Sequence, residues 1–454
     1  MAEIKEEKDV FDLVYRLEDN PSVQDGMFAA LQHLLAIIVA IITPTLIIGG
    51  GLGLGSEIPY LISMALIVSG IATFIQVKRI GPVGSGLLSV QGTSFAFLGA
   101  ILTTGFMVKN NGGGTKEIMS TICCICFVGA FIEIILSRFI DRLKKIITPV
   151  VTGTVVTLIG LSLVKVGVMD MAGGQWLLEN KPELFGSAEN LILAFIVLVI
   201  VIILSSSKNQ FLRMSSVVIG LIVGYIIAAF IGKVDFAAMK NLPIINIPIP
   251  FKYGLNFEWS AFIPVAFIYL ITTIESVGDM TATSMVSGEP IEGSLYIRRI
   301  KGGVLGDGIN SAIAAIFNTF PNSTFSQNNG VIQLTGIASR YVGMYLAGFL
   351  VILGLFPAIG AFFRSLPSPV LGGATIVMFG AVGAAGIKII ASSEIDRRDM
   401  LIMAVAFGLG FGVAYVPEFL SKAPEAVRQI FGSAVTTGGL TALILNIVLP
   451  RTGE

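Results

Sequence analysis

The chain is a succession of apolar runs, each of about 20 residues, the length that crosses the hydrocarbon core of a bilayer as a helix. They fall at 28–48, 58–77, 84–104, 118–140, 146–168, 190–206 and 214–232. After a connection rich in Pro and Asn they resume at 260–280, 302–318, 322–338, 341–363, 369–390, 400–416 and 427–449. Of 454 residues, 54% are hydrophobic and only 13% are charged. A soluble domain carries roughly 25% charged residues, so this chain cannot clothe a water-facing surface of its size. The expected fold is an all-α polytopic membrane protein with about fourteen transmembrane segments set in the lipid bilayer. Net charge is zero, which leaves no basic field for nucleic acid. The N-terminal tail, 1–27, is charged and lacks an apolar core, so no cleavable signal peptide is expected.

The charges between the runs set the orientation. With the N-terminus inside, one face collects Lys5, Lys8 and Arg16, the pair Lys78-Arg79, and the cluster Arg138, Arg142, Lys144 and Lys145. Lys208 and Arg213, then Arg298, Arg299 and Lys301, then Arg340, Lys388, Arg397, Arg398 and Arg451 follow on the same face. The other face holds more scattered cations, Lys109, Lys240 and Lys252 among them. The dense short clusters therefore mark the cytoplasmic side, with both termini cytoplasmic.

The connection from Lys233 to Trp259 divides the runs into two groups of seven. Seven is odd, so the second group enters the membrane from the opposite side, the plan of an inverted repeat. The third run of each group is broken: GPVGSGLLSVQGTSFAFLGA at 81–100 and PNSTFSQNNGVIQLTG at 321–336. Irregular backbone at membrane depth is tolerated only where it is buried in protein or lines a cavity. Matching interrupted segments in the two halves point to a transport site between them.

Ionisable groups inside spans are costly and are read as functional. Glu275 closes the eighth run, Asp279 follows one turn later on the same face and either joins it or holds the helix end, and Asp307 lies in the ninth. Glu133 and Lys165 stand near span ends, where they snorkel to the headgroups. His33, the one histidine, has a donor and an acceptor when neutral. It contacts a ligand, shuttles a proton or braces a neighbouring helix, and on an apolar face bracing is the commoner role. Cys123, Cys124 and Cys126 have no His and no second Cys pair beside them, so they are small apolar helix residues and not a metal site. The Gly-rich 49–57 follows a span and not a strand, and no Walker loop, HExxH or Ser-His-Asp set is present, so an enzyme is not expected.

The run Gln327-Asn328-Asn329-Gly330-Val331-Ile332-Gln333-Leu334-Thr335-Gly336 resembles the signature of the nucleobase–ascorbate transporters, also called the nucleobase–cation symporter-2 family. Gln32-His33, VQGTSF at 90–95, Glu275 and Asp307 fall where that family has its other motifs, and the likeness runs from RLEDNPS at 16–22 to the last span. It is nearest to the bacterial xanthine permeases. The resemblance implies fourteen segments in a seven-plus-seven inverted repeat, with a short β-strand in each of segments 3 and 10. It implies a core domain, 28–140 and 260–363, and a gate domain, 146–232 and 369–449, with homodimers formed through the gate. It further implies a carrier of the bacterial inner membrane that moves core against gate and couples uptake to protons, with no other cofactor.

Carried over residue by residue, Glu275 is the carboxylate that accepts from base N–H groups. Gln327 is the amide that pairs with the base edge, and Asn328 supports it. Asp307 serves transport and coupling. Ser94 and Phe95 form the segment-3 contact, where a strand N–H and a ring meet the base. His33 and Asp279 stand in support. Uracil carriers usually have Glu in place of Gln327, which argues for an oxidised purine. Ser94 stands where related xanthine carriers can have Asn or Thr, so xanthine and urate both stay open, as do proton and sodium. A channel for small polar solutes and a sulfate or bicarbonate carrier are the rivals. The second predicts a basic residue near the strands, and the central segments contain none.

Overall fold

The structure, a computed structural model, describes residues 13–143, 146–234 and 243–450. Lys5, Lys8, Lys144, Lys145, Lys240 and Arg451 lie outside the described residues, as does the start of the N-terminal tail. Segments follow one another as α1 (Val23–Leu52), α2 (Ile58–Lys78), β1 (Gln91–Thr93) with α3 (Leu98–Asn110), α4 (Thr115–Leu136), α5 (Pro149–Met171), α6 (Ala188–Ser205) and α7 (Ser216–Phe230). The second half runs α8 (Trp259–Val286), α9 (Gly293–Ile316), β2 (Asn322–Thr324) with α10 (Gln327–Thr335), α11 (Arg340–Leu355), α12 (Ser368–Ile390), α13 (Arg397–Tyr415) and α14 (Ala434–Val448). Among the described residues, eight helices are by themselves long and apolar enough to cross a membrane. The remaining segments are shorter, broken or more polar, and α11 continues after a 77° bend as Pro357–Arg364. Pro357 cannot donate to the preceding turn, which is where the bend falls.

Local chemistry sets the ends. Ser22 caps α1 by accepting from the Asp25 N–H at 3.2 Å, and Gly53, at φ 75°, closes it in the left-handed region. Thr148 caps α5, with Pro149 in the first turn, where a missing N–H costs nothing. Two boundaries differ from the sequence expectation. Segment 9 begins at Gly293, not 302, because Arg298, Arg299 and Lys301 belong to its first turns; Arg299 is buried there against Glu289 at 2.6 Å. Helix α8 continues to Val286, so Glu275 and Asp279 are interior residues and Asp279 does not hold a helix end.

The packing repeats when each segment is exchanged for the one seven places away. Helix α2 packs on α11 as α9 packs on α4, α1 on α11 as α8 on α4, and α6 on α7 as α13 on α14. The axis of this exchange passes between α5 and α12, the most extensively packed pair. Without a hydrophobic drive between helices in lipid, close backbone approach supplies the contact. A Cβ at Gly160 would lie 2.2 Å from the Gly383 nitrogen, and one at Gly386 would lie 2.4 Å from that of Thr157. At one membrane face the connection between the halves is clamped to α2. Lys252 pairs with Glu57 at 2.6 Å, Tyr253 donates to the same carboxylate, and Asn246 donates to Ser63 at 2.9 Å. On the other face the chain around Tyr15 pairs with Ile337, beside the end of α10.

Gly386→Val should force α5 and α12 apart at a cost of about 1–3 kcal/mol or more. Gly380→Val, on the same helix with nothing within 4 Å of its Cβ position, should be near neutral. Thermal unfolding of the two purified variants measures the difference.

Candidate functional site

The two broken segments meet. β1 and β2 pair antiparallel, Gln91 with Thr324, Gly92 with Ser323 and Thr93 with Asn322. Two further bonds close the ends, Ser94 N–H to the Pro321 carbonyl at 2.8 Å and Phe325 N–H to the Val90 carbonyl at 2.9 Å. All six strand residues are buried. The strands thus satisfy each other's backbone at a depth where each unsatisfied group would cost several kcal/mol. Their local sequence prevents a continuous helix. Gly84 and Gly86 precede β1 at φ 98° and 73°, while Asn318 at φ 62° and then Pro321 precede β2. Gly92 has to be glycine: a Cβ there would come within 2.5 Å of the Phe325 ring and 2.9 Å of Ile41.

Asp307 of α9 is the hub beside this pairing, with no exposed surface. Its carboxylate accepts from Gln76 of α2, from Ser276 of α8 and, at 3.1 Å, from Thr324 of β2. Gln76 also donates to the Gly303 carbonyl at 2.8 Å and accepts from the Ser85 N–H at 2.9 Å. The Gln91 amide donates to Thr324 at 2.8 Å. One buried carboxylate therefore gathers α2, α8 and both strands, and charge-assisted bonds of this kind are the strong ones.

Helix α10 is fastened by its two asparagines. The Asn328 amide donates to the Leu88 carbonyl at 2.7 Å, so its oxygen accepts from Nδ1 of His33, also at 2.7 Å. His33 is fully buried on α1, and its Nε2 has no partner among the described residues. In this arrangement it braces α10 against α1. Asn329 accepts from Thr283 at 2.6 Å and donates to the Asp279 carbonyl at 3.3 Å, which seats α10 on α8.

Among the groups left without a protein partner here are the Glu275 carboxylate and the Gln327 amide, beside the Asn322 amide and the Thr93 and Ser94 hydroxyls of the strand region. Glu275 and Gln327 are half-buried. Oε2 of Glu275 is shielded without a partner, and no protein group among the described residues bonds the Gln327 amide. Glu275 lies within electrostatic reach of Asp279 and Asp307. Phe95 is buried between the rings of Phe325 (6.4 Å, stacked) and Phe379 of α12 (5.6 Å, edge-on). Gln327 opens α10, where the Asn328 and Asn329 N–H groups bond the Phe325 and Ser326 carbonyls at 3.2 and 3.0 Å, and Phe95 opens the turn that leads into α3.

The comparisons fit this construction. A family model described as the permease family matches residues 24–419. The xanthine permease XanQ of Escherichia coli (strain K12) is 48% identical over 97% of this chain and 94% of its own. The xanthine permease XanP of the same organism is 45% identical over 97% and 95%. The chain belongs to this family, the nucleobase–ascorbate transporters. The uric acid permease PucJ of Bacillus subtilis (strain 168) is a further relative, 35% identical over 92% of this chain and 91% of its own. Two solved structures share the fold alone. The transmembrane domain of the cyanobacterial bicarbonate transporter BicA is 15% identical, with TM-score 0.57 over 95% of this chain and 99% of that one. The murine anion transporter Slc26a9 in the inward-facing state is 11% identical, with TM-score 0.62 over 96% and 69%.

This nucleobase transporter is a permease and not an enzyme, and its apolar helices and bacterial relatives make it a multi-pass inner-membrane protein. The Ser94 N–H is bonded to the Pro321 carbonyl. The interior departs from the sequence reading in two places. Glu133 does not snorkel; it is buried inside α4 with 1% exposure. Gln76, Ser276, Gln91 and Thr324 were not singled out, although a glutamine amide at membrane depth in two separate segments was the available signal. Gly92→Ala should press Phe325 and Ile41 off the strands and cost about 1–3 kcal/mol. Paired melting and substrate-binding measurements check it, with binding falling more than tenfold in protein that still folds.

Proposed function

We propose that the chain imports an oxidised purine, most simply xanthine, by symport with a proton. The observation that carries this is a carboxylate and a primary amide that no described protein group bonds, Oε2 of Glu275 and the Gln327 side chain, both half-buried beside the two strands that pair with each other. A purine dione offers alternating N–H donors and C=O acceptors along its edge. A carboxylate can accept from the first and a primary amide can serve either. In dry surroundings a mismatched edge leaves buried polar groups unpaired, which gives discrimination without a large contact area. The helix dipole at the start of α10 favours partial negative charge on the ligand.

In this reading Phe95 supplies a ring face, Ser94 shapes the floor through its side chain, and Asn328 with His33 holds Gln327 in place. Asp307 and Asp279 stand behind Glu275. Asp307 ties the strands to α2 and to α8, so its protonation state is felt by the helix that carries Glu275 and by the strand beside it. Segments 1–4 with 8–11 form the core that carries the site. Segments 5–7 with 12–14 form the gate against which it moves, and two copies meet through the gate with their termini in the cytoplasm. The support for this division is that the site residues other than Phe379 all come from the first set, while α5 and α12 pack on each other.

Uptake of labelled xanthine into cells lacking their own purine carriers tests the assignment. Xanthine should be taken up saturably and be competed by purine diones far better than by uracil. Competition by uracil and not by xanthine analogues would refute it, and competition by urate at equal strength would move the assignment to urate. Glu275→Gln should leave the protein in the membrane and lower transport by at least about tenfold, the loss of one charge-assisted hydrogen bond. Asp307→Asn should retain xanthine binding while losing uphill accumulation; full accumulation in that variant would remove Asp307 from coupling.

A further inference from the structure

A second polar site lies away from the strands, at the end of the molecule where Leu13 meets Gly288. A cavity of about 880 Å³ opens between the end of α2, the end of α4 and the beginning of α9. Arg79, Arg138, Arg298 and Lys301 line it, and the carboxylate that joins them is Asp141. Asp141 is already paired, with Lys301. Arg299, next in sequence, is held by Glu289 at 2.6 Å. Among the described residues, Arg79, Arg138 and Arg298 have no carboxylate of their own.

Three observations make this more than a solvated patch. The Nε of Arg79 is buried without a hydrogen-bond partner. Burial and the adjacent Arg298 and Arg299 push its guanidinium below the ordinary arginine range, so like charges converge here. Arg79 also sits at φ 57°, a left-handed backbone that an arginine adopts only when its surroundings impose it. Finally, the cavity is closed by the start of α9. Gly293 and Ser294 line it, the residue before them, Glu292, makes no capping bond, and the free N–H groups of a 24-residue helix therefore face the same space.

Guanidinium groups, an ammonium and an uncapped helix start converging on one cavity are the elements of a phosphate site. We propose that this cavity binds a phosphate group, distinct from the purine site, and that the group bridges α2, α4 and α9. Its walls are mixed, with Pro82, Ile297 and Leu305 beside the cations. That suits an anionic phospholipid whose headgroup phosphate enters while its chains stay in the bilayer. Soluble phosphate offers the same oxygens without the chains.

The test is native mass spectrometry and thermal unfolding of the full-length protein in neutral detergent, titrated with phosphatidylglycerol or with inorganic phosphate. Wild type should bind one phosphatidylglycerol with raised Tm, and Arg298→Gln should weaken that binding by about tenfold, one charge-assisted contact. Arg138→Gln provides a second, exposed position if the first variant expresses poorly, and Lys181→Gln, outside the cavity, should change nothing. Saturable binding of inorganic phosphate with the same variant sensitivity, and no preference for the lipid, would assign the soluble source. Binding of neither probe, or binding indifferent to both arginine variants, would overturn the proposal. None of these readouts depends on which purine is carried.

Discussion

Two three-residue strands, paired antiparallel in the middle of a membrane protein, are the constraint on which the rest of the molecule depends. A lone strand at that depth would expose backbone groups to hydrocarbon, so neither strand is tenable without the other. The pairing then needs walls, and those walls account for the buried polar side chains described above. Asp307, Gln76, Ser276, Gln91 and Thr324 form one connected set, and Asn328, Asn329 and His33 form another. Fully satisfied polar networks in low dielectric hold a single arrangement firmly, whereas a half-satisfied one is costly. Glu275 and Gln327 lie outside both of these sets.

The fold was largely legible in the sequence because its period is that of the bilayer. Run lengths gave the fourteen segments, and the odd count on each side of the 233–259 connection gave the inversion. The breaks in the third segment of each half were visible as Gly, Pro and amide residues within apolar surroundings. Segment ends were less legible where charge intrudes on a helix. The first turns of α9 carry Arg298, Arg299 and Lys301 and look like a loop, but Glu289 and Asp141 answer two of those charges and let the helix begin earlier.

The site was legible as a set of residues and much less so as a set of contacts. Glu275, Asp307 and Gln327 announce themselves by their cost in a span. The contact between His33 and Asn328 joins positions 295 residues apart, and no local pattern specifies it. The use of the Ser94 N–H depends on where the Pro321 carbonyl falls, which only the pairing register decides. Glu133 resembles an interfacial residue by position alone; the packing of α4 against α8 and α9 encloses it instead.

The inverted repeat also bears on energetics. A carrier has to populate two conformations, open to opposite sides, at comparable free energy, because a large bias toward either would trap it. In a molecule made of two like halves placed head to tail, giving each half the other's conformation turns one of these states into the other. Their energies are then equal to the extent that the halves are alike. The residues that break the likeness, an acid in α9 whose network reaches β2 or a proline before one strand where a valine precedes its counterpart, are the ones available to tilt the balance. Direction in such a machine is a small asymmetry imposed on a near-degenerate pair.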